Sequence, residues 1–181
     1  RETLKVGGVM QQRDPAERKR HWERATLAAL VLTLLLLLGS ASSMMYRGYL
    51  HTATVEALER ADSHVFRRLL LAGADPMTED ISRYTMLHHA AADGNVELVR
   101  ELLARGVPVD LVTDGNETPL FLAAKSGKPG TVAQLIAAGA RVEAKNSYGQ
   151  TPLLFAKAYV PQNRGVYGSI VRMLERAGAK E

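Results

Sequence analysis

The residue types that could do chemistry are few in this sequence. His88 and His89 form its one adjacent histidine pair. Neighbouring residues on a helix point about 100° apart, so the two imidazoles make a poor chelate for one metal ion. His51 and His64 stand alone. The lack of cysteine removes disulfides, thiolate nucleophiles and thiolate-held zinc. No glycine-rich phosphate loop, no histidine pair spaced for one helix face and no nucleophile motif is present. Asp75, Glu79 and Asp80 gather carboxylates in one stretch, but such residues commonly bond the backbone of their own turn. The sequence therefore predicts no enzyme, no cofactor and no metal.

The elements that position these residues repeat. Thr85-Met86-Leu87-His88-His89-Ala90-Ala91, Thr118-Pro119-Leu120-Phe121-Leu122-Ala123-Ala124 and Thr151-Pro152-Leu153-Leu154-Phe155-Ala156 follow one another at a step of 33 residues. Gly73-Ala74, Gly106-Val107 and Gly139-Ala140 keep the same step. A fixed period of this length means stacked supersecondary units. Within each, Thr is an N-cap acceptor and Pro pre-sets the first helical turn. Leu87, Leu120 and Leu153 begin a buried face, and the alanine pairs let helices approach closely. Gly94 and Gly127 end the first helix. A second helix follows, as in Val96–Leu103 and Thr131–Ile136, closed by Gly106 and Gly139. Polar connectors join one unit to the next.

These residues resemble the ankyrin repeat, a β-turn followed by two antiparallel helices with a Thr-Pro-Leu-His signature. The likeness covers nearly all of residues 50–181. Met86 departs from its proline, Phe121 and Leu154 from its histidine, and Arg83 from its turn glycine; His88 fits the family's structural histidine. The resemblance implies an all-α solenoid of about four helix pairs, with units near 50–81, 82–114, 115–147 and 148–181. The first unit lacks the signature and is expected as a cap. The last is six residues longer than its neighbour, and Val160 to Gly168, with a proline and two glycines, reads as an inserted loop. Ile170, Val171 and Leu174 are expected to be partly exposed, or covered by a partner.

Residues 1–24 carry seven Lys/Arg against four Asp/Glu, while 46–181 carry sixteen against fifteen. The basic excess therefore lies in the tail, and no basic run suggests nucleic acid. Asp14-Pro15-Ala16-Glu17 reads as a helix start. Residues 25–45 are 21 residues without a charge. A helix of that length reaches roughly 30 Å, enough to cross a bilayer. The expected architecture is thus a basic cytoplasmic tail (1–24), a transmembrane helix (25–45) and a repeat domain (46–181). A cleaved signal peptide, with small residues Gly39 and Ala41 near the cut, is the rival reading. Arg13, Arg18, Lys19, Arg20 and Arg24 precede the span, against Arg47 and Arg60 after it. This places the tail in the cytoplasm and the repeats in the periplasm of a bacterium, anchored in the inner membrane. Trp22, Tyr46 and Tyr49 sit where interfacial aromatics are common.

The expected function is protein binding. A membrane-anchored module would dock on an integral-membrane or periplasmic complex as an accessory or scaffold subunit, with the lipid bilayer contacted by residues 25–45. The alternative is an immunity protein that neutralises a periplasmic toxin or enzyme. The ankyrin resemblance puts the contact surface on the connector tips and first helices, at Arg83, Tyr84, Asn116, Glu117, Tyr148 and Gln150. Tyr159, Arg164 and Tyr167 join them around the insertion, and Asp93 and Lys125 stand near first-helix ends.

Overall fold

A computed structural model describes Gly39 and residues 42–180. The chain divides into two compact units, residues 1–46 and 47–181. Of the first, only Gly39 and residues 42–46 are described.

The second unit is built from helix pairs. Helix α1 is described over residues 42–59, of which 47–59 belong to this unit. It is followed by α2 (Ser63–Leu71), α3 (Met86–Asp93), α4 (Val96–Ala104), α5 (Pro119–Lys125), α6 (Pro129–Ala137), α7 (Pro152–Tyr159) and α8 (Arg164–Arg176). Helices α3, α5 and α7 each pack on the second helix that follows, α4, α6 and α8. The first helices α3, α5 and α7 also stack on one another, as do α4, α6 and α8. The result is two helical layers around one continuous core.

Local chemistry sets the helix starts. Thr118 Oγ1 accepts from Phe121 N at 3.2 Å and Thr151 Oγ1 from Leu154 N at 3.1 Å. Each thereby satisfies a backbone donor that the first turn leaves without a partner. The second helices use Asp62, Asn95 and Asn163 as caps. Gly94 ends α3 with φ +82°, a left-handed conformation that favours glycine; the flexible Lys128 side chain nearby could move aside for a Cβ, so the backbone sets the requirement. Leu87, Leu120 and Leu153 lie in the core with the alanines Ala90, Ala91, Ala123, Ala124 and Ala156. Truncating any of these leucines to alanine costs about 2–5 kcal/mol.

The membrane expectation is corrected. Among the described residues no helix is long and apolar enough to cross a membrane. The longest, α1, carries Arg47, Glu56 and Glu59 and buries only one side, through Leu50, Thr54, Ala57 and Leu58. That is the pattern of a helix lying on a core, whereas a span must be apolar all round. The expected transmembrane helix over 25–45 lies outside the described residues except for Gly39 and residues 42–45, and so does the basic tail 1–24. The single-pass topology, the periplasmic placement, the bilayer contact, the integral-membrane partner and the periplasmic toxin inhibitor all rested on that span, and all are withdrawn.

The last unit also differs from expectation. Its extra residues do not form a loop. A short turn over 160–162 leads directly into α8, which has 13 residues where α4 and α6 have nine. Asn163 Oδ1 caps α8 through Val166 N at 3.2 Å. Val166, Tyr167, Ile170, Val171 and Leu174 pack on or within the core. Their helical spacing outweighs the roughly 1 kcal/mol that each of Gly165 and Gly168 costs inside a helix. Ile170 and Leu174 are fully buried rather than partly exposed.

Candidate functional site: a row of connector fingers

The connectors fold into three turns of one design. Asp80 N donates to Tyr84 O, Thr113 N to Glu117 O, and Asn146 N to Gln150 O, at 3.0, 3.2 and 3.0 Å. The first residue of each turn organises it from the side chain. Asp80 Oδ1 accepts from Ser82 N and Tyr84 N, both at 2.8 Å. Thr113 Oγ1 accepts from Glu117 N at 3.2 Å, and Asn146 Oδ1 from Tyr148 N and Gln150 N at 3.0 and 2.9 Å. The fourth residue is left-handed in every turn: Arg83 at φ +62°, Asn116 at +53° and Gly149 at +73°. Arg83 thus adopts the glycine conformation without being glycine. The energy that caps and packs the surrounding turn holds it there.

The turns are joined to each other in register. Asp114 N donates to Ser82 O at 3.1 Å, and Ser147 N donates to Gly115 O at 2.8 Å. The second bond repeats the first one 33-residue step later, so the three fingers form a row of fixed spacing.

Residues 50–146 match the family described as ankyrin repeats (3 copies). That is more than half of the 181 residues. The chain belongs to the ankyrin-repeat family. Ankyrin-repeat domains are non-catalytic scaffolds. A search of curated proteins found no match.

The candidate residues fall into two groups on the ankyrin scaffold. Tyr84, Glu117 and Gln150 occupy one repeat position and point their polar atoms at neighbouring repeats or turns. Tyr84 Oη donates to Glu117 Oε2 at 3.1 Å, and Lys125 Nζ donates to Glu117 Oε1 at 2.9 Å. Burial first, and then the Glu117 carboxylate, push Tyr84 up to about 12. Gln150 Oε1 accepts from Asn146 Nδ2 at 3.3 Å. Arg83, Asn116 and Tyr148 lie at the exposed tips. Arg83 Nε makes a loose pair with Glu79 at 3.4 Å, and Asn116 Nδ2 donates to Ser147 Oγ at 3.4 Å. Tyr148 is 87% exposed.

The aromatic candidates gather elsewhere, at the junction of α7 and α8. Phe155 and Tyr159 stack with ring centres 4.6 Å apart, and Tyr159 lies 5.7 Å from Tyr167. Tyr167 Oη donates to Lys125 O at 3.2 Å, which ties α8 to α5. Arg164 is exposed on the first turn of α8, and Asp93 is exposed at the end of α3. Ile81, 86% exposed on the first fingertip, was not among the expected residues. An apolar side chain within a polar connector was the signal for it.

His88 and His89 do not cooperate. His88 Nδ1 accepts from Thr85 N at 3.1 Å, so its proton sits on Nε2, 3.2 Å from Leu111 O. Burial lowers its pKa to about 4. His89 faces the rings of Phe66 and Tyr84. Its Nε2 has no hydrogen-bond partner and lies 3.9 Å from Asp80 Oδ2. Burial lowers its pKa as well, so it stays neutral and the contact is not an ion pair at neutral pH. Among the described residues no group of three or more histidines and carboxylates could hold a metal ion. The three acids singled out in the sequence are used within their own turns: Asp75 Oδ1 accepts from Met77 N at 2.9 Å, Glu79 pairs with Arg83, and Asp80 organises its finger.

Proposed function

We propose that this ankyrin-repeat chain is a protein-binding module that meets its partner through the fingertip row and the adjoining first helices, in units near 50–81, 82–114, 115–147 and 148–181. The observation that supports the reading most is the register of the fingers. Two equivalent backbone bonds between successive turns, Asp114 N to Ser82 O and Ser147 N to Gly115 O, hold the tips in a pre-organised row. A surface that loses little freedom on binding keeps more of its contact energy as affinity. Arg83, Asn116 and Tyr148 project from that row, and Tyr and Arg are the types that anchor interfaces. Tyr84, Glu117 and Gln150 brace it from behind. Tyr159, Arg164 and Tyr167 extend the surface towards the last helix pair.

The test is capture of the partner by the 181-residue chain, followed by titration calorimetry with Tyr148→Ala and Arg83→Ala. Each substitution is expected to weaken binding about tenfold or more while leaving the melting temperature within about 2 °C. Unchanged affinity in both variants would remove the fingertips from the interface.

A further inference from the structure

Charge is distributed unevenly around the stack. The connectors, residues 72–85, 105–118 and 138–151, hold seven acids against four bases. The second helices are the reverse. Helices α2, α4 and α8 carry Arg67, Arg68, Arg100, Arg172 and Arg176, besides Arg164 at the start of α8, and no lysine, against Glu97, Glu101 and Glu175, while α6 carries no charge. Two of those acids are already compensated. Glu101 pairs with Arg67 at 3.4 Å and with Arg105 at 2.9 Å, and Glu175 pairs with Lys157 at 3.2 Å. Arg68, Arg100, Arg172 and Arg176 make no ion pair among the described residues and are all exposed.

The arginines share a face because the repeat places them there. Arg67 follows the fully buried Phe66, and Arg100 follows the fully buried Val99 one 33-residue step later. Arg172 lies between the buried Ile170 and Leu174, on the side of α8 that turns away from them. The contact of Arg67 with Glu101 shows that the outer sides of α2 and α4 adjoin, while α4, α6 and α8 pack in sequence. The outer surface of the second helices is therefore basic at α2, α4 and α8 and uncharged at α6 between them, opposite in sign to the connectors. Arginine's planar fork favours carboxylates in bidentate pairs and sheds water more readily than an ammonium group.

We infer that the outer face of the second helices is a second docking surface, for an acidic polypeptide segment rich in Asp and Glu. It is separate from the fingers and does not depend on their role. Charge complementarity selects the occupant. Arg68, Arg100, Arg172 and Arg176, against the one acid left without a pair on these helices, Glu97, would steer an acidic chain to this face and give it partners on α2, α4 and α8, across the uncharged α6. Such binding is salt-dependent, since the contributing charges are exposed.

The test uses the full chain and poly-glutamate as probe, by fluorescence anisotropy at about 50 mM and about 500 mM salt. Saturable binding is expected at low salt, weakening at least tenfold at high salt. The Arg100→Glu/Arg172→Glu double variant is expected to lose at least tenfold in affinity, with a helical circular dichroism spectrum and melting temperature like the parent's. That variant leaves residues 1–24 intact, so its loss of binding locates the site on the helices. Three results would overturn the inference: no binding of poly-glutamate at low salt, full binding by the folded double variant, or tighter binding of a uridine homopolymer than of poly-glutamate.

Discussion

Tyr84 Oη donates to Glu117 Oε2 over 3.1 Å, linking the same position of two successive repeats. Lys125 holds the other carboxylate oxygen at 2.9 Å. Glu117 is thus a brace between repeats, and its two oxygens are both engaged. Replacing Tyr84 by Phe should cost about 1 kcal/mol, as for one hydrogen bond to a charged group that is partly solvated. Glu117→Gln should bring the Tyr84 ionisation down from about 12 towards 10, because both its repulsion and its hydrogen bond act upward. The fall should be partial, since burial is the larger cause. Tyrosinate absorbance followed against pH measures it; an unmoved titration would show that the carboxylate is not felt.

Arg83 sits at φ +62°. A left-handed residue with a Cβ costs roughly 1 kcal/mol relative to glycine there. Arg83→Gly is expected to raise stability in urea by about that amount, because the exposed pair with Glu79 contributes little. The same substitution removes a fingertip side chain. Tighter folding together with weaker partner binding would separate scaffold from contact in a single variant.

His88 makes the fold acid-sensitive. Its ordinary value is 6.5 and burial lowers it to about 4. Between those values the unfolded chain binds a proton that the folded chain refuses, so stability falls as pH drops through that window and levels off below it. The loss from this group is about 3 kcal/mol. His88→Leu, which installs the residue found at Leu154, should be less stable at neutral pH through the lost bonds to Thr85 and Leu111. Its stability should also be flatter between pH 7 and 4, judged by urea midpoints across that range. An equally steep pH dependence in the variant would mean that another group is responsible.

Thr131 is fully buried and its hydroxyl has no partner. It stands one 33-residue step after Leu98, at a core-facing position of α6. Thr131→Val keeps the shape and removes the cost of a buried polar group without a hydrogen bond, so a gain of about 1–2 kcal/mol is expected in thermal or urea unfolding. A loss of stability would mean that water or a slight shift already satisfies the hydroxyl.

Much of the scaffold could be read from residues that recur. Thr118, Pro119 and Leu120 each perform a local task, and their 33-residue step reveals stacking without knowledge of distant contacts. Local rules misled where a distant contact decides. Gly165 and Gly168 signalled a loop, yet Val166, Tyr167 and Ile170 gain more by packing as a helix than the glycines lose. An uncharged stretch at residues 25–45 signalled a span, but no helix of that character occurs among the described residues.

The sequence alone determined the repeat and the helix pairs, because caps and apolar period act within a few positions of themselves. Only the tertiary structure decided which of Arg83, Tyr84, Asn116, Glu117 and Tyr148 face outward and which are bound to a neighbour. It also decided that arginines 33 residues apart share one face. Those properties depend on how successive repeats are rotated and set against each other. That geometry is fixed by packing between residues far apart in the chain, such as Tyr84 with Glu117, Ser82 with Asp114, and Arg67 with Glu101.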